Sequence, residues 1–282
     1  MDGPDEQSFY RETGRGVVLA GKITLHFEPC TKTGPREQPV KEGVVVHLIH
    51  CLSLVLCLIW CQPAGAETVP NLMWGRSVVK ILADTNKGRV SMGSGVVVAV
   101  NRVATNCHVI RAAVSIVLTK GIIRYPVVAQ AVMPERDVCI LHTEGMKLPP
   151  AHLGRLAETR EGDEVFVFGY AGAIGLGLVR GKVRALHPFR GSYILETDAG
   201  FMRGTSGGAV FTARGELVAM PTFLLKTEAG GYFYGVPVEW VSEVLAMEAE
   251  PESAVEGLAF WEVGDFKPRD GTRVTDSRPG LE

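Results

Sequence analysis

The chain has 282 residues, a formal net charge of −2 at pH 7 and 21% charged side chains. This length allows a two-lobed domain with a sizeable core, which needs neither a metal nor disulfides for support. The near-neutral charge argues against a basic surface for nucleic acid, so we predict no nucleic-acid partner, and a hydrophobic fraction of 46% excludes disorder throughout.

A polar segment, residues 1–43, begins the chain and shows no clear periodicity. It is longer than the charged region that ordinarily opens a signal peptide. No methionine occurs between Met1 and Met73, and a bacterial start at a valine codon, Val40 or Val44, would leave this segment untranslated. We therefore interpret residues 1–43 as an N-terminal extension that a mis-assigned start codon would explain.

Residues 44–66 have the sequence pattern of a signal peptide or a membrane anchor. The run "VVVHLIHCLSLVLCLIWC" is almost continuously apolar and is followed by "QPAGAETVP". The small side chains of Ala64 and Ala66 predict signal-peptidase cleavage before Glu67 and a periplasmic or secreted protein. A retained membrane anchor at 44–61 is the alternative, because the run is nearly long enough to cross a bilayer.

Cleavage before Glu67 would leave two of the six cysteines, Cys107 and Cys139. In an oxidising compartment these thiols either pair or stay free and buried, and the sequence leaves both possibilities open. Neither cysteine has the spacing of a metal ligand. We therefore predict no metal and no cofactor.

From residue 77 onward, short apolar or alternating runs are separated by Gly, Pro, Asn and charged residues; examples are "SGVVVAV", "VCILH", "EVFVFGY" and "SYILET". Their richness in Val, Ile, Phe and Tyr favours half-buried strands, so the fold class is all-β, a barrel or a sandwich. The strand pattern breaks at "GMKLPPAHLGRLAETREGD". We expect a domain over 67–248 with two lobes, at about 74–150 and about 160–240.

One segment, "PVEWVSEVLAMEAE" at 237–250, predicts a C-terminal helix that closes the domain, with Val241, Val244 and Leu245 on one face. Residues 251–282 mix acidic residues, Pro, Gly and Ser with scattered aromatics. That composition predicts a flexible tail, which docks through Phe260 and Trp261.

The stretch "FMRGTSGGAV" holds Ser206 among glycines and fits two kinds of nucleophile. The nucleophile elbow of α/β-hydrolases requires a histidine after the serine, but all seven histidines precede Ser206. The order His, Asp, Ser is available. His108 in "ATNCHVI" ends an apolar strand that follows a tight "GSG", and Asp137 in "PERDVCILH" lies at the mouth of another strand.

Five ordered segments resemble the trypsin-like serine proteases, specifically the bacterial HtrA/Deg branch, over about residues 77–245; they are "GSGVVVAVNRVATNCHVI", "ERDVCILH", "GDEVFVFGYAGAIGLGLVRGKVRAL", "ILETDAGFMRGTSGGAVFTARGELVAM" and "YFYGVPVEWVSEVL". The resemblance implies two six-stranded antiparallel β-barrels with a catalytic triad of His108, Asp137 and Ser206 between them. It also implies that the amides of Gly204 and Ser206 form an oxyanion hole.

The sequence departs from that family at several points. Arg203 stands where the family often has proline, and Thr205 replaces the common asparagine or aspartate. We expect neither the family's PDZ domain nor its N-terminal trimer-forming segment in this chain. These departures concern how the oxyanion turn is arranged and how activity is regulated.

Specificity is indicated by Gly200, which stands where trypsin carries the acid that selects Lys and Arg. The resemblance therefore implies small or medium apolar side chains at the cleavage site, with Thr222 and Phe223 of "MPTFLL" lining the cleft and pairing with substrate as an added strand. We expect a serine endopeptidase that cleaves unfolded or extended polypeptide through an acyl-enzyme. A catalytically latent peptide-binding or chaperone-like module is the alternative.

Overall fold

A computed structural model of the chain describes residues 72–86, 88–227 and 230–268. The interpretations of 1–43 as an extension and of 44–66 as a signal peptide or anchor lie outside the described residues. Within the described ranges, no helix is long and apolar enough to cross a membrane.

The first six strands form the N-terminal barrel: β1 (Val78–Thr85), β2 (Val90–Ala99), β3 (Arg102–Thr105), β4 (Ala113–Lys120), β5 (Ile123–Met133) and β6 (Val138–Thr143). The strands are ordered β5-β4-β1-β2-β3-β6, and the β5–β6 pairing closes the sheet on itself. All these pairings are antiparallel. In β1, Val79, Ile81 and Ala83 are buried at every second position, as expected for a strand with one face inside a barrel.

The next strands form the C-terminal barrel: β7 (His152–Leu153), β8 (Glu164–Gly169), β9 (Gly177–Phe189), β10 (Ser192–Thr197), β11 (Ala209–Thr212), β12 (Glu216–Thr227) and β13 (Gly230–Pro237). Strands β8 to β13 are ordered β11-β8-β9-β10-β13-β12, and the β11–β12 pairing closes this barrel. The short strand β7 adds to β12 in parallel. The architecture of two closed six-stranded antiparallel barrels is therefore confirmed.

A hydrophobic cluster joins the two barrels, and each barrel has a separate buried cluster of its own. Val78 and Ile140 of the N-terminal barrel pack in the same buried cluster as Phe166 and Phe211 of the C-terminal barrel. Since sheet faces must be buried against another element, this shared cluster holds the barrels side by side. A 3-10 turn at Leu72–Ser77 precedes β1, and further short 3-10 turns connect strands at Cys107–Val109, Pro134–Arg136, Leu156–Glu158 and Ala171–Ala173.

The C-terminal helix α1 spans Val238–Leu245 and is shorter than the predicted 237–250. Val241 and Val244 are fully buried, as the periodicity predicts. The helix stops early because the chain then enters strand β14 (Glu250–Pro251), which pairs with β5. The residue before a proline disfavours helical geometry, so Pro251 helps to keep Glu250 extended.

Residues 251–268 pack on the barrels, whereas the sequence predicted a flexible tail over 251–282. Arg111 forms a β-bridge with Val255, and Phe260 and Phe266 are 1% and 2% exposed. The docking of Phe260 and Trp261 is therefore part of a longer ordered path. Aromatic burial provides the reason, because each ring removes a large apolar area from water.

Candidate active site

The three residues singled out in the sequence lie on three separate segments. His108 is in the turn Cys107–Val109, which follows β3, and Asp137 caps the turn Pro134–Arg136 directly before β6. Ser206 lies between β10 and β11. Asp137 adopts a left-handed backbone conformation with φ 58°, which is rare for residues other than glycine and aims its side chain back from the strand end.

His108 and Asp137 form a directly hydrogen-bonded pair. His108 Nδ1 lies 2.7 Å from Asp137 Oδ2, and the backbone N–H of His108 donates to Oδ1 at 2.9 Å. The Asp137 side chain is 0% exposed, whereas the His108 side chain is 21% exposed. A buried carboxylate that accepts at Nδ1 fixes the imidazole tautomer, so Nε2 of the neutral ring is left as the basic nitrogen.

Ser206 joins this pair through Thr222 and Asn106. The Ser206 hydroxyl donates to the Thr222 carbonyl oxygen at 3.1 Å, in preference to the His108 ring. The Thr222 hydroxyl accepts from Asn106 Nδ2 at 3.1 Å, and Nδ2 also donates to the Asp137 carbonyl oxygen at 2.8 Å. Asn106, which the sequence analysis did not select, therefore ties β12 to both turns.

The turn that carries Ser206 requires glycine. Gly204 and Gly207 have φ values of 92° and 79°, in the left-handed region. A Cβ on Gly207 would also overlap the carbonyl oxygen of Ser94 and the hydroxyl of Thr105. This close approach brings the serine turn of the C-terminal barrel against the residues that lead to His108.

Ser94 is a further functional residue that the sequence analysis missed. It is fully buried. Its N–H donates to the Ser206 carbonyl oxygen at 2.9 Å, and its hydroxyl donates to the Gly204 carbonyl oxygen at 2.7 Å. The same hydroxyl accepts from the Tyr170 N–H at 2.8 Å.

The "GSG" around Ser94 is therefore not a tight turn, as the sequence suggested, but lies within β2. Its glycines provide room for close packing: a Cβ on Gly93 would lie 2.5 Å from Val109 Cγ1, and one on Gly95 would lie 2.6 Å from Val103 Cγ1. The glycine pair was the only signal in the sequence that pointed to this position.

The peptide between Arg203 and Gly204 has a defined orientation. The Arg203 carbonyl oxygen accepts from the Gly172 N–H at 2.8 Å. In a planar trans peptide the N–H points opposite to the carbonyl, so the Gly204 N–H is directed away from Gly172. The Arg203 side chain is exposed. The departure at Arg203 thus leaves its backbone in contact with the loop after β8.

The residues predicted to contact substrate lie in different surroundings. Gly200 is exposed, and an added Cβ would lie 3.5 Å from the Phe233 ring, which also packs on Phe201. Thr222 and Phe223 are only 2% and 6% exposed. A small pocket contains Gly200 but neither of those two residues; its lining comprises Val167, Gly169, Ala171, Gly177, Val179, Gly200, Phe201, Met202 and Thr205.

The ring of Phe223 is covered on two sides. Tyr234 stacks on it at 4.9 Å between ring centroids, and Trp261 stacks on it at 5.2 Å. The expectation that the Phe223 side chain lines an open cleft therefore does not match its burial. The C-terminal segment, which the sequence predicted to dock through Phe260 and Trp261, places Trp261 on this ring and accounts for the difference.

A disulfide joins Cys107 to Cys139, with their Cα atoms 5.1 Å apart. The sequence left open whether these cysteines pair. Cys107 precedes His108 and Cys139 lies in β6 shortly after Asp137, so the bond links the two segments that carry the hydrogen-bonded pair. The other described histidines are elsewhere: His187 pairs with Glu196 at 2.7 Å, and burial lowers the pKa of His142.

Comparison with known proteins shows which proteins this chain is similar to. Residues 93–220 match the model of the trypsin-like peptidase domain, a span that includes His108, Asp137 and Ser206. A probable periplasmic serine endoprotease, DegP-like, from Ectopseudomonas mendocina is 30% identical over 186 residues, which are 61% of this chain and 39% of that protein. The chain thus spans less than half the length of this curated relative.

Two solved structures show the same fold. The HtrA-type protease AlgW with a tripeptide matches with a TM-score of 0.55 and 24% identity, covering 61% of this chain and 59% of that chain. The active form of the Rv3671c protease from M. tuberculosis matches with a TM-score of 0.59 and 20% identity, covering 83% of this chain and 99% of that chain.

Proposed function

The chain carries a trypsin-like peptidase domain with HtrA- and DegP-like serine protease homologues, and we propose that it hydrolyses peptide bonds with Ser206 as nucleophile. The observation that carries this proposal is the buried Asp137 carboxylate, which accepts from both Nδ1 and the backbone N–H of His108. A serine hydroxyl is a weak nucleophile until a base removes its proton, and this pair supplies an oriented base.

In the proposed reaction, Ser206 Oγ bonds to the scissile carbonyl carbon as its proton moves to His108 Nε2. The tetrahedral intermediate then collapses, the C–N bond breaks, and His108 returns the proton to the leaving amine. Water hydrolyses the resulting acyl-enzyme by the same steps, with His108 again acting as base and then as acid. Asp137 stabilises the imidazolium that forms at each stage.

In this proposal the backbone amides of Gly204 and Ser206 donate hydrogen bonds to the oxyanion of the tetrahedral intermediate. Two contacts support this role: Gly172 holds the carbonyl of residue 203, and Ser94 holds the carbonyl of Gly204. Hydrogen bonds on both sides of Gly204 restrict the reorientation of its peptide planes. Each oxyanion donor contributes about 3 to 4 kcal/mol to transition-state stabilisation in comparable sites.

Small or medium apolar side chains are the proposed preference at the cleavage site. Gly200 places no carboxylate there, and the nearby rings of Phe233 and Phe201 provide an apolar surface. The substrate class is unfolded or extended polypeptide, which adds as a strand beside β12 through Thr222 and Phe223 backbone groups. The structurally similar HtrA-type protease AlgW was solved with a tripeptide, which supports a polypeptide substrate.

The proposed location is the bacterial cell envelope, either periplasmic or secreted. The apolar run at 44–61 with its small residues at Ala64 and Ala66 supports export. The DegP-like relative from Ectopseudomonas mendocina is described as periplasmic. The same run supports a membrane tether if the chain is not cut before Glu67.

A second candidate is a latent peptide-binding module. The observation that favours it is the hydrogen bond from the Ser206 hydroxyl to the Thr222 carbonyl oxygen, because this hydroxyl is not engaged by His108. Catalytic hydrogen bonds are often incomplete before substrate binds, so this geometry is also compatible with a working enzyme.

Labelling of the full chain with a fluorophosphonate probe separates the two candidates, since labelling requires an activated serine and an oxyanion site. We expect labelling of the wild type that is lost in Ser206→Ala and in His108→Ala. Digestion of an unfolded protein by the wild type alone would extend the result to peptide bonds. A folded wild type that neither labels nor digests would favour the latent binding module.

A further inference from the structure

We propose that Trp261 in the C-terminal segment is a positioning residue for the His108–Asp137 pair. The kinetic consequence rests on the proposed function, whereas the effect on the His108 ring itself does not. In sequence, Trp261 is remote from both partners, and the hydrogen bond that joins it to Asp137 spans 124 positions.

Trp261 contacts both members of the pair. Its indole Nε1–H donates to Asp137 Oδ2 at 3.1 Å, and this is the same oxygen that lies 2.7 Å from His108 Nδ1. The Trp261 ring meets the His108 ring edge to face, with centroids 5.5 Å apart and planes at 89°. The opposite contact of the indole is its stacking on Phe223, at an interplanar angle of 15°.

The neighbours of Trp261 hold it in this position. Phe260 is 1% exposed and packs on Phe189 at 4.9 Å between centroids, while its N–H donates to the Glu135 carbonyl oxygen at 3.2 Å. Glu262 forms a two-point ion pair with Arg111, with Nη1 2.7 Å from Oε1. Anchors on both sides therefore restrict Trp261 to the space beside His108.

The chemistry of the indole suits this role. Indole N–H is a donor only, and a buried ionised carboxylate is an acceptor only, so the bond satisfies both groups. Asp137 then accepts from the His108 N–H, His108 Nδ1 and Trp261 Nε1. The third bond fixes the plane of the carboxylate and withdraws charge from Oδ2.

Loss of the indole donor changes the charge on the Asp137 carboxylate, and hence its effect on His108, in a defined direction. A carboxylate without that donor carries more charge at Oδ2 and stabilises the imidazolium more strongly. The charged side chains facing this pair are Arg111, which acts on Asp137, and Glu262, which acts on His108. Substitution of Trp261 by Phe leaves both of them in place and retains an aromatic ring beside His108.

The first test compares the wild-type full chain with Trp261→Phe and with Trp74→Phe. Trp74 packs on Phe166 and Phe211, so its substitution controls for a Trp-to-Phe change in an aromatic cluster. We expect the rate of fluorophosphonate labelling to fall about tenfold in Trp261→Phe, with the acidic limb of its pH profile moved to higher pH, and to change little in Trp74→Phe. Equal rates and equal pH profiles would overturn the proposal, as would faster labelling of Trp261→Phe.

The second test does not depend on activity. The His108 ring is observed by NMR in chains with ¹⁵N-labelled histidine, and its signals are assigned by comparison with His108→Ala. We expect the Nδ1–H signal to shift in Trp261→Phe, because Asp137 Oδ2 then accepts one hydrogen bond fewer, and to remain unchanged in Trp74→Phe. Identical signals in the wild type and Trp261→Phe would overturn the proposal. If the wild type does not label, the proposed function fails, and these signals alone decide the role of Trp261.

A variant that leaves the indole unchanged provides a further test in case Trp261→Phe misfolds. Phe260→Leu removes the ring that packs on Phe189 and loosens the segment without altering Trp261 or a charge near His108. A smaller shift of the His108 Nδ1–H signal is expected. An unchanged His108 signal in Phe260→Leu, together with misfolded Trp261→Phe, would overturn the proposal.

Discussion

The two turns that carry His108 and Asp137 are held together differently from the turn that carries Ser206. The first two belong to one barrel, hydrogen-bond to each other directly and are linked by the disulfide Cys107–Cys139. The Ser206 turn belongs to the other barrel and is held by hydrogen bonds that cross to Ser94 in β2. The acid–base pair is therefore arranged within one barrel, while the position of the nucleophile depends on how the two barrels dock.

The largest loss of stability and of labelling is expected where the Ser206 turn contacts the N-terminal barrel most closely. Gly207→Ala introduces a Cβ that overlaps the Ser94 carbonyl oxygen at a φ of 79°. We expect a loss of about 3 kcal/mol or more in the free energy of unfolding, measured in urea, together with loss of fluorophosphonate labelling.

Gly191→Ala is the matched control for this change. Gly191 has a φ of 78°, but an added Cβ would meet nothing within 4 Å. It should cost only about 1 kcal/mol, from backbone strain. Equal losses in the two variants would show that the close approach between the barrels contributes nothing.

Removal of the disulfide tests how the two turns that carry His108 and Asp137 are held together. The double variant Cys107→Ser/Cys139→Ser should lose about 2 to 4 kcal/mol of unfolding free energy, because the open chain gains conformational freedom when unfolded. Urea unfolding with and without reductant measures this loss. Reductant should bring the wild type close to the double variant and leave the double variant unchanged; a wild type insensitive to reductant would contradict the expectation.

The variant Ser94→Ala measures how strongly the turn that carries Ser206 depends on the Ser94 hydroxyl. The variant loses the donor to Gly204 O and the acceptor for the Tyr170 N–H. We expect labelling to slow by about 10- to 100-fold and unfolding free energy to fall by about 1 to 3 kcal/mol. Ser91→Ala, in the same strand, removes a hydroxyl that bonds the Val109 carbonyl oxygen at 2.7 Å, and it should leave labelling much less affected.

The smallest effect concerns the ion pair that fastens the C-terminal segment to the N-terminal barrel. Burial raises the pKa of Glu262, but its hydrogen bonds from Arg111 and the Ala259 N–H outweigh burial and hold the pKa below its ordinary value. A carboxyl whose pKa is depressed by folding stabilises the native state above its unfolded pKa, and this contribution is lost as pH falls through the folded pKa.

Unfolding free energies of the wild type and Glu262→Gln should therefore differ by about 1 kcal/mol at neutral pH and converge on acidification. Glu243→Gln provides the control, since Glu243 pairs with Arg136 but is 53% exposed. Its effect should be smaller at every pH. A constant difference between wild type and Glu262→Gln down to acidic pH would contradict the assigned charge.

Much of the fold was predictable because its signals are local. Period-two burial in strands such as β1 follows from alternating side chains, and the helix was identified from the spacing of Val241 and Val244. The order of His108, Asp137 and Ser206 and their strand-end contexts also stand in the sequence, as does the glycine need of the turn at Gly204 and Gly207.

Local sequence patterns did not predict which remote segments contact each other. Whether Cys107 and Cys139 pair depends on β3 and β6 lying side by side, and the bond from Ser94 to Gly204 joins residues 110 positions apart. Composition at 251–282 predicted a flexible tail that docks through Phe260 and Trp261, but it could not name the rings that receive them, because those rings lie on other elements.

The sequence by itself determined an all-β fold with two lobes, since strand periodicity is a property of short segments, and chain order with local motifs singled out the residues of the candidate chemistry. The two six-stranded barrels were implied by the resemblance to trypsin-like serine proteases. Only the tertiary structure decided that Ser94 braces the serine turn, that Trp261 reaches Asp137 and that Phe223 is covered. Those outcomes depend on which distant surfaces meet when the barrels and the C-terminal segment pack, and no local pattern specifies that docking.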